Sequence, residues 1–271
     1  MSRPTWIVQV IKTAFPGRYL AARATRVPII GSALERWLFE GDSLIYLPQD
    51  QVIEINQTID VAGEMVLPSA VVEHFIESAS THWIMNTCIC REASRCEDYP
   101  IDLGCLFLGE AAADINPELG RPVTREDALA HVRRCREAGL VHLIGRNKLD
   151  TVWLGVGPGD RLLTICNCCP CCCLWRMLPQ IADQIGTRVT AMPGITVHVT
   201  DRCAGCETCT HGICFVNAIH IIDGRATIDD ACRACGRCVE ICPQGAIEIV
   251  ITDPQFVKQT IGHIAPLVDL S

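Results

Sequence analysis

The chain of 271 residues lacks several features that would place it in a common class of proteins. It has no run of 18 apolar residues and no cleavable signal peptide, so we expect neither a membrane span nor secretion. It shows no glycine-rich fingerprint of a flavin or nicotinamide site, which argues against direct hydride transfer. No grouping of serine, histidine and aspartate indicates a hydrolytic site. The net charge of −8 argues against a general nucleic-acid-binding protein.

Cysteine, in contrast, is abundant, with 19 residues. In a secreted protein this number would indicate disulfides, but these cysteines are clustered like metal ligands. Clustered thiols indicate a reducing compartment, and we expect a cytoplasmic protein of an anaerobic cell. Hydrophobic residues make up 49% of the chain, which is enough for a packed core in one large or two ordinary domains.

Two copies of one cysteine pattern lie near the C-terminus. The first is C-x2-C-x2-C-x4-C and the second is C-x2-C-x2-C-x3-C, followed by proline. Three pairs of equivalent cysteines are each separated by 29 residues: Cys203/Cys232, Cys206/Cys235 and Cys209/Cys238. Thiolates are the natural ligands of iron–sulfur clusters, and three of them on a short loop can surround one cluster. The spacing fits a pair of zinc ribbons poorly.

This repeat resembles the bacterial-type two-cluster [4Fe–4S] ferredoxin module, most closely at residues 232–243. The resemblance implies that the fourth cysteine of each run binds the cluster of the other run. Cluster A would be bound by Cys203, Cys206, Cys209 and Cys242. Cluster B would be bound by Cys232, Cys235, Cys238 and Cys214. The first run departs from the family pattern, because it has one extra residue before Cys214 and Phe215 in place of proline.

Ten further cysteines form two groups earlier in the chain. The first group is Cys88, Cys90, Cys96 and Cys105. The second group is Cys166, Cys168, Cys169, Cys171, Cys172 and Cys173. Because a cluster needs only four convergent thiolates, we predict one or two further iron–sulfur clusters, bound by the first group, the second or both. A structural zinc site and a redox-active dithiol are the alternatives.

The N-terminal cysteines also carry a second resemblance. The sequence Cys88-Ile-Cys90-Arg91, the predicted helix 126–140, the run 166–173 and the C-terminal repeat together resemble a family of anaerobe proteins described as 4Fe–4S binding proteins. The resemblance covers most of residues 80–250 and implies an N-terminal Cys-rich domain, but no substrate.

Other polar residues are weaker candidates. Arg91 and Arg95 flank thiolates and could offset cluster charge. Four histidines could act as ligands or proton carriers, although buried or surface histidines without such a role are more common: His74, His82, His131 and His142. The remaining cysteine, Cys135, lies on the apolar face of a predicted helix, and we expect it to be a core thiol.

The hydrophobic pattern predicts an α+β fold in four parts. These parts are a basic N-terminal segment with short strands (1–67), a Cys-rich α+β domain (68–193), a two-[4Fe–4S] ferredoxin-like domain (194–252) and a tail (253–271). Ser69 and Thr124 are predicted to cap two helices at their N-termini. The predicted strands and hairpins are residues 44–47, 52–55, 151–155 with 161–166, 195–199, 218–222 with 225–228, and 246–251.

These observations predict an iron–sulfur protein that passes single electrons to a protein redox partner through two [4Fe–4S] clusters and at least one further N-terminal cluster. One alternative is a reductase, for example of a disulfide-type substrate, with a thiol or cluster site in the N-terminal domain. Another is a cluster-bearing subunit of a larger oxidoreductase complex. A carrier or subunit is favoured over a stand-alone enzyme, and no catalytic residue is predicted. The basic, amphipathic residues 1–36 could dock on a membrane surface or a partner complex, or pack on their own domain.

Overall fold

The computed structural model describes residues 2–56 and 67–271, and its fold is α+β, as predicted. Residues 57–66, which belong to the predicted N-terminal part, lie outside the described residues. The helices are α1 Thr5–Ala14, α2 Arg18–Ala24, α3 Pro28–Leu34, α4 Asp50–Asn56, α5 Ser69–Ser78, α6 Ile89–Ala93, α7 Arg125–Glu137, α8 Lys148–Leu154, α9 Asp183–Gly186, α10 Arg237–Glu240 and α11 Phe256–Ile264. The strands are β1 Ser43–Tyr46, β2 His82–Met85, β3 Leu106–Leu108, β4 Gly120–Pro122, β5 Val141–Arg146, β6 Leu163–Cys168, β7 Val189–Ala191, β8 Ile195–Val199, β9 Ile219–Ile222, β10 Arg225–Ile228 and β11 Ile247–Ile251.

A seven-stranded sheet, in the order β4-β2-β3-β6-β5-β1-β7, forms the centre of the fold. Neighbouring strands are antiparallel, except that β1 and β7 are parallel. One face carries a row of apolar side chains in direct register across five strands: Ile84, Leu106, Ile165, Ile144 and Ile45. Helices α5, α7 and α11 bury their apolar residues in the same core. This face is therefore devoted to packing.

The opposite face of the sheet carries thiols. Side chains alternate between the faces of a strand, so Cys166 and Cys168 of β6 lie opposite Ile165. Cys168 is buried with Tyr46 of β1 and Val141 of β5 in a second core, against which Cys166 packs. The sheet thus positions two cysteines of the 166–173 run on one surface.

The N-terminal segment forms three helices that are held to the rest of the chain by its basic side chains. Lys12 makes an ion pair with Glu92 at 2.7 Å, and Arg26 donates to the backbone oxygens of Pro179 and Ile181. Several large apolar side chains of the segment remain exposed. These residues are Trp6, Val10, Leu20, Val27, Ile29 and Ile30. No helix among the described residues is long and apolar enough to cross a membrane.

The C-terminal cysteine runs lie between short paired strands, as predicted. β8 pairs with β11 in antiparallel register, and β9 and β10 form the predicted hairpin around Asp223 and Gly224. The helix with Thr124 as its cap is also confirmed, because the Thr124 hydroxyl accepts a hydrogen bond from the Asp127 backbone N–H. Ser69, predicted as a cap, is instead the first residue of α5.

Two predicted strands are wrong. Residues 52–55 lie in α4, which packs against β11, so tertiary packing overrides the β propensity of their branched side chains. Residues 151–155 were expected to form a hairpin with 161–166, but 151–154 belong to α8. The Trp153 indole N–H donates to Asp150 one turn earlier, and Gly155 ends the helix with a left-handed φ of 69°. β6 pairs with β3 and β5 instead.

Candidate iron–sulfur sites

The two C-terminal loops repeat in conformation as well as in sequence. Gly205 and Ala234, at equivalent positions, have φ values of 66° and 48°. Glu207 and Gly236, the next equivalent pair, have φ values of 62° and 83°. Left-handed residues at these points turn the backbone sharply between successive cysteines, and such residues are uncommon outside glycine. The two loops therefore share one backbone conformation at these positions, with a non-glycine residue in the left-handed region in each.

The eight C-terminal cysteines line two separate cavities. Cys203, Cys206, Cys209 and Cys242 line one cavity of about 10 Å³. Cys214, Cys232, Cys235 and Cys238 line the other, of about 20 Å³. Each cavity thus brings together three cysteines of one run and the fourth cysteine of the other.

Backbone N–H groups in the same loops point at the sulfur atoms. Ala218 N–H donates to Cys214 Sγ at 3.2 Å, and Ala246 N–H donates to Cys242 Sγ at 3.3 Å. These two bonds are equivalent, each running from the residue four positions after its cysteine. Donors of this kind stabilise thiolates and tune the potential of a bound cluster. The surroundings therefore fit iron–sulfur ligation.

The two cavities differ in exposure. Cys206 is exposed, whereas Cys235 is half-buried, and burial raises the pKa of the Cys235 thiol to about 12. A thiol in such a place becomes a thiolate only when a cation replaces its proton. The cavity that contains Cys206 is thus the one closer to solvent.

In the structure the ten N-terminal thiols form two groups, and each group contains cysteines from both 88–105 and 166–173. Four sulfur atoms lie within 4.8 Å of one another: those of Cys96, Cys169, Cys171 and Cys172. We call them the four-thiol group; its Cys96 and Cys171 sulfurs are 3.5 Å apart. A turn at residues 170–172 follows β6 and gathers three of these thiols. The fourth comes from the loop after α6.

The other six thiols line a cavity of about 470 Å³, which we call the chamber, and Cys169 of the four-thiol group also lies in its wall. These six are Cys88, Cys90, Cys105, Cys166, Cys168 and Cys173. Cys88 precedes α6, and its thiol has a pKa lowered to about 6, mainly through a hydrogen bond from Cys90 and then by Arg91. The Cys105 and Cys166 sulfurs are 3.8 Å apart.

Mostly apolar side chains close the chamber. Ile11 and Phe15 come from the N-terminal helices, while Trp153 and Trp175 come from the region around β6. The exposed Ala21 of α2 also lines the cavity, which places α2 at its opening. The chamber is more than twenty times larger than either C-terminal cavity. The chamber can therefore hold a larger group than either C-terminal cavity.

Arg91 lies between the two N-terminal groups and is fully buried. Its guanidinium donates to the Asn167 backbone oxygen at 2.8 Å and to the backbone oxygen of Leu103. Burial alone would lower the pKa of Arg91, but thiolates at Cys88 and Cys169, and at Cys105, raise it overall. Arg91 thus supplies a permanent positive charge to both groups. Arg95, by contrast, is exposed.

The four candidate histidines do not line either N-terminal group. Buried His142 has Nδ1 2.8 Å from Asn167 Oδ1, and burial lowers its pKa to about 3. His131 and His82 are buried against backbone oxygens at 2.8 Å and 2.6 Å, and His74 is exposed. These rings are placed as structural side chains. Cys135 is a core thiol, as expected, and burial raises its pKa to about 12.

Sequence reasoning missed several residues of the chamber. Asn147 and Asp150 line it, and both are buried. Asp150 accepts hydrogen bonds from Asn147, Trp153 and Thr164 at 2.6–2.8 Å. Only an Asn-x-x-Asp pair at the start of α8 marks this site in the sequence. This pair could have been identified from the sequence only if α8 had been predicted as a helix.

The chamber and the second C-terminal cavity share one apolar core. Cys168 and Cys173 are buried in it, and Cys214, Cys232 and Cys235 pack against it. Tyr46 lies fully buried in the same core, with its ring 5.3 Å from that of Phe215. Burial raises the pKa of Tyr46 well above its usual range, and thiolates from both sites add to the effect. Tyr46 therefore lies close to both sets of thiols.

Residues 227–248 match the family of 4Fe–4S binding domains. The match contains the second cysteine run, Cys232 to Cys242, and excludes the first. Neither the curated proteins nor the solved structures contain a significant match to this chain. The chain therefore carries a ferredoxin-type iron–sulfur module that binds at least one [4Fe–4S] cluster. This module and the many cysteines support a role in iron–sulfur electron transfer.

Proposed function

We propose that this protein passes single electrons through two C-terminal [4Fe–4S] clusters to an iron–sulfur centre in the N-terminal chamber, and exchanges them with a protein redox partner. The ligands of cluster A are Cys203, Cys206, Cys209 and Cys242, and those of cluster B are Cys214, Cys232, Cys235 and Cys238. The two four-cysteine cavities and their equivalent left-handed residues support this assignment.

One observation carries the order of transfer. Cluster B ligands and the chamber thiols Cys168 and Cys173 pack around the same core, with Tyr46 near both. Cluster A contains the exposed Cys206, and none of its four cysteines belongs to that core. Electrons therefore enter at cluster A, continue to cluster B and reach the chamber.

The partner surface is formed by the exposed apolar side chains of residues 6–37, including Trp6, Leu20 and Ile29. The large exposed apolar side chains of this segment favour an apolar protein surface as the partner. This contact fits a subunit of a larger oxidoreductase as well as a carrier.

A second candidate function, a reductase, is favoured by the size of the chamber. Its volume falls within the range of ~300–1,000 Å³ that is typical of small-molecule sites. Three buried polar atoms of residues that line it have no hydrogen-bond partner: Arg18 Nε, Arg91 Nε and Asn147 Oδ1. A cluster there would leave space for a small, mainly apolar molecule.

Rapid-mixing spectroscopy under anaerobic conditions tests the order of transfer. A reduced ferredoxin is the donor, and the wild type is compared with Cys235→Ser, which removes a ligand of cluster B. We expect slower reduction of the chamber centre in Cys235→Ser and wild-type rates in Cys135→Ala, which removes only a core thiol. Equal rates in all three proteins would contradict transfer through cluster B.

The reductase alternative has its own test. Carbon monoxide, a small uncharged iron ligand, should alter the EPR signal of the chamber centre in the wild type but not in Ala21→Trp, whose larger side chain narrows the opening. Ala33→Trp is the matched control, because Ala33 is exposed on α3 and does not line the chamber. An unchanged signal in all three proteins would remove the reductase interpretation.

A further inference from the structure

We infer that the four-thiol group, Cys96, Cys169, Cys171 and Cys172, binds one tetrahedral divalent ion, zinc or mononuclear iron, and not an iron–sulfur cluster. The inference rests on the spacing of the sulfur atoms and on the fold around them. It does not depend on the electron-transfer role of the other cysteines.

The spacing of the sulfur atoms matches ligands of a single ion. A tetrahedral ion with bonds of ~2.3 Å to sulfur holds its ligands about 3.8 Å apart. In the four-thiol group all sulfur pairs lie within 4.8 Å, and the Cys96–Cys171 pair is at 3.5 Å. Only small movements are needed to close such a site. In a [4Fe–4S] cluster each cysteine thiolate binds a different iron, so the four cysteine sulfurs must lie further apart.

The C-terminal cavities provide an internal comparison. Their two sets of four thiols follow the ferredoxin pattern, and residues 227–248 match a 4Fe–4S binding domain. Neither set brings even three sulfurs within 4.8 Å of one another. Across residues 2–56 and 67–271, the four-thiol group is the one place where three or more thiol, imidazole or carboxylate ligands meet so closely. Its geometry therefore differs from that of the cluster sites in the same chain.

The fold around the group is that of a structural metal site. Four protein thiols leave no open position, as in structural zinc sites built from four cysteines. Cys169 and Cys172 are buried beside Leu103 and Leu140 in a small apolar core of their own. A single ion would cross-link the loop 94–105, which lacks regular structure, to the turn after β6. Closing such a loop stabilises the fold.

The cross-linked loop also contacts the ferredoxin-type module. The Tyr99 hydroxyl accepts a hydrogen bond of 2.6 Å from Arg237 of α10, which also donates to the Gly139 backbone oxygen. Arg237 is adjacent to Cys238, a proposed ligand of cluster B. The ion would thus hold in place the loop on which α10 rests.

Metal and sulfide analysis of anaerobic protein tests the inference. The double variant Cys96→Ser/Cys171→Ser should lose one zinc or iron ion per chain with no loss of acid-labile sulfide. Cys135→Ala, which removes a buried thiol of the same small core, should retain the wild-type metal content. Loss of about four iron and four sulfide atoms from the double variant would show a [4Fe–4S] cluster and overturn the inference. Unchanged metal content would overturn it as well.

Measurements on the wild type keep the test independent of folding in the variants. If the ion is zinc, X-ray absorption at the zinc edge should show four sulfur neighbours at ~2.3 Å. If it is iron, Mössbauer spectra should contain an isolated tetrahedral iron beside the clusters. A protein with no zinc and with all its iron in clusters would contradict the inference. Cys206→Ala tests the C-terminal assignment separately. It should remove cluster A alone, so the C-terminal assignment can be judged whether or not a single ion is found at the four-thiol group.

Discussion

Replacing the buried cation between the N-terminal thiol groups should have a large and measurable effect. Arg91 makes two charge-assisted hydrogen bonds to backbone oxygens, of Asn167 and Leu103, in a site without solvent. Each such bond contributes ~1.5–3 kcal/mol, and its loss leaves a buried acceptor without a donor. We therefore expect Arg91→Met to lower the free energy of unfolding by about 3–5 kcal/mol.

Thermal unfolding followed by circular dichroism under anaerobic conditions measures this loss. For a chain of this size, such a change corresponds to a fall in Tm of about 10 °C. Arg95→Met is the matched control, because Arg95 is an exposed arginine four residues further along the chain and its loss should change stability by less than about 0.5 kcal/mol. Arg91→Met should also lower the reduction potential of the chamber centre, because a positive charge near its thiolates is lost. Equal Tm values for the two variants would refute this account of Arg91.

Two further predictions concern the C-terminal module and the sheet. Cys206→Ala should abolish the EPR signal of cluster A and spare that of cluster B, and loss of neither signal would show that the ligand assignment is wrong. Burial raises the pKa of Asp42 to about 7, and the Lys148 backbone N–H donates a hydrogen bond to Asp42 Oδ1. Because the folded state then holds this proton more tightly than the unfolded state, wild-type stability should fall as pH rises from about 4 to 7. Asp42→Asn, which keeps the acceptor, should be more stable than wild type by up to ~4 kcal/mol at pH 8 and equal to it below pH 4, as measured by urea unfolding.

Elements with a local signal were predicted correctly. β8 has strict alternation, the β9–β10 hairpin has an Asp-Gly turn, and α7 has a threonine cap. Helices α4 and α8 were missed because their β-branched residues favour strands in isolation, and contacts distant in sequence decide their conformation.

The candidate sites were predictable to different degrees. The C-terminal cysteines follow a spacing that a known family explains, so their grouping into two sets could be proposed from the sequence. The division of the 166–173 run could not, because it depends on where β6 ends and on the turn at 170–172. The chamber is closed on one side by residues of the N-terminal helices. No local sequence pattern specifies that these helices pack over the cysteines.

Quantification of iron and acid-labile sulfide in anaerobically purified protein, together with EPR of the reduced form, tests the central claim most directly. Two C-terminal clusters account for about eight iron atoms per chain, and a chamber centre raises the number above that. We predict a brown protein with more than about eight iron atoms and matching sulfide. A colourless protein that carries only zinc, or no metal, would contradict the account.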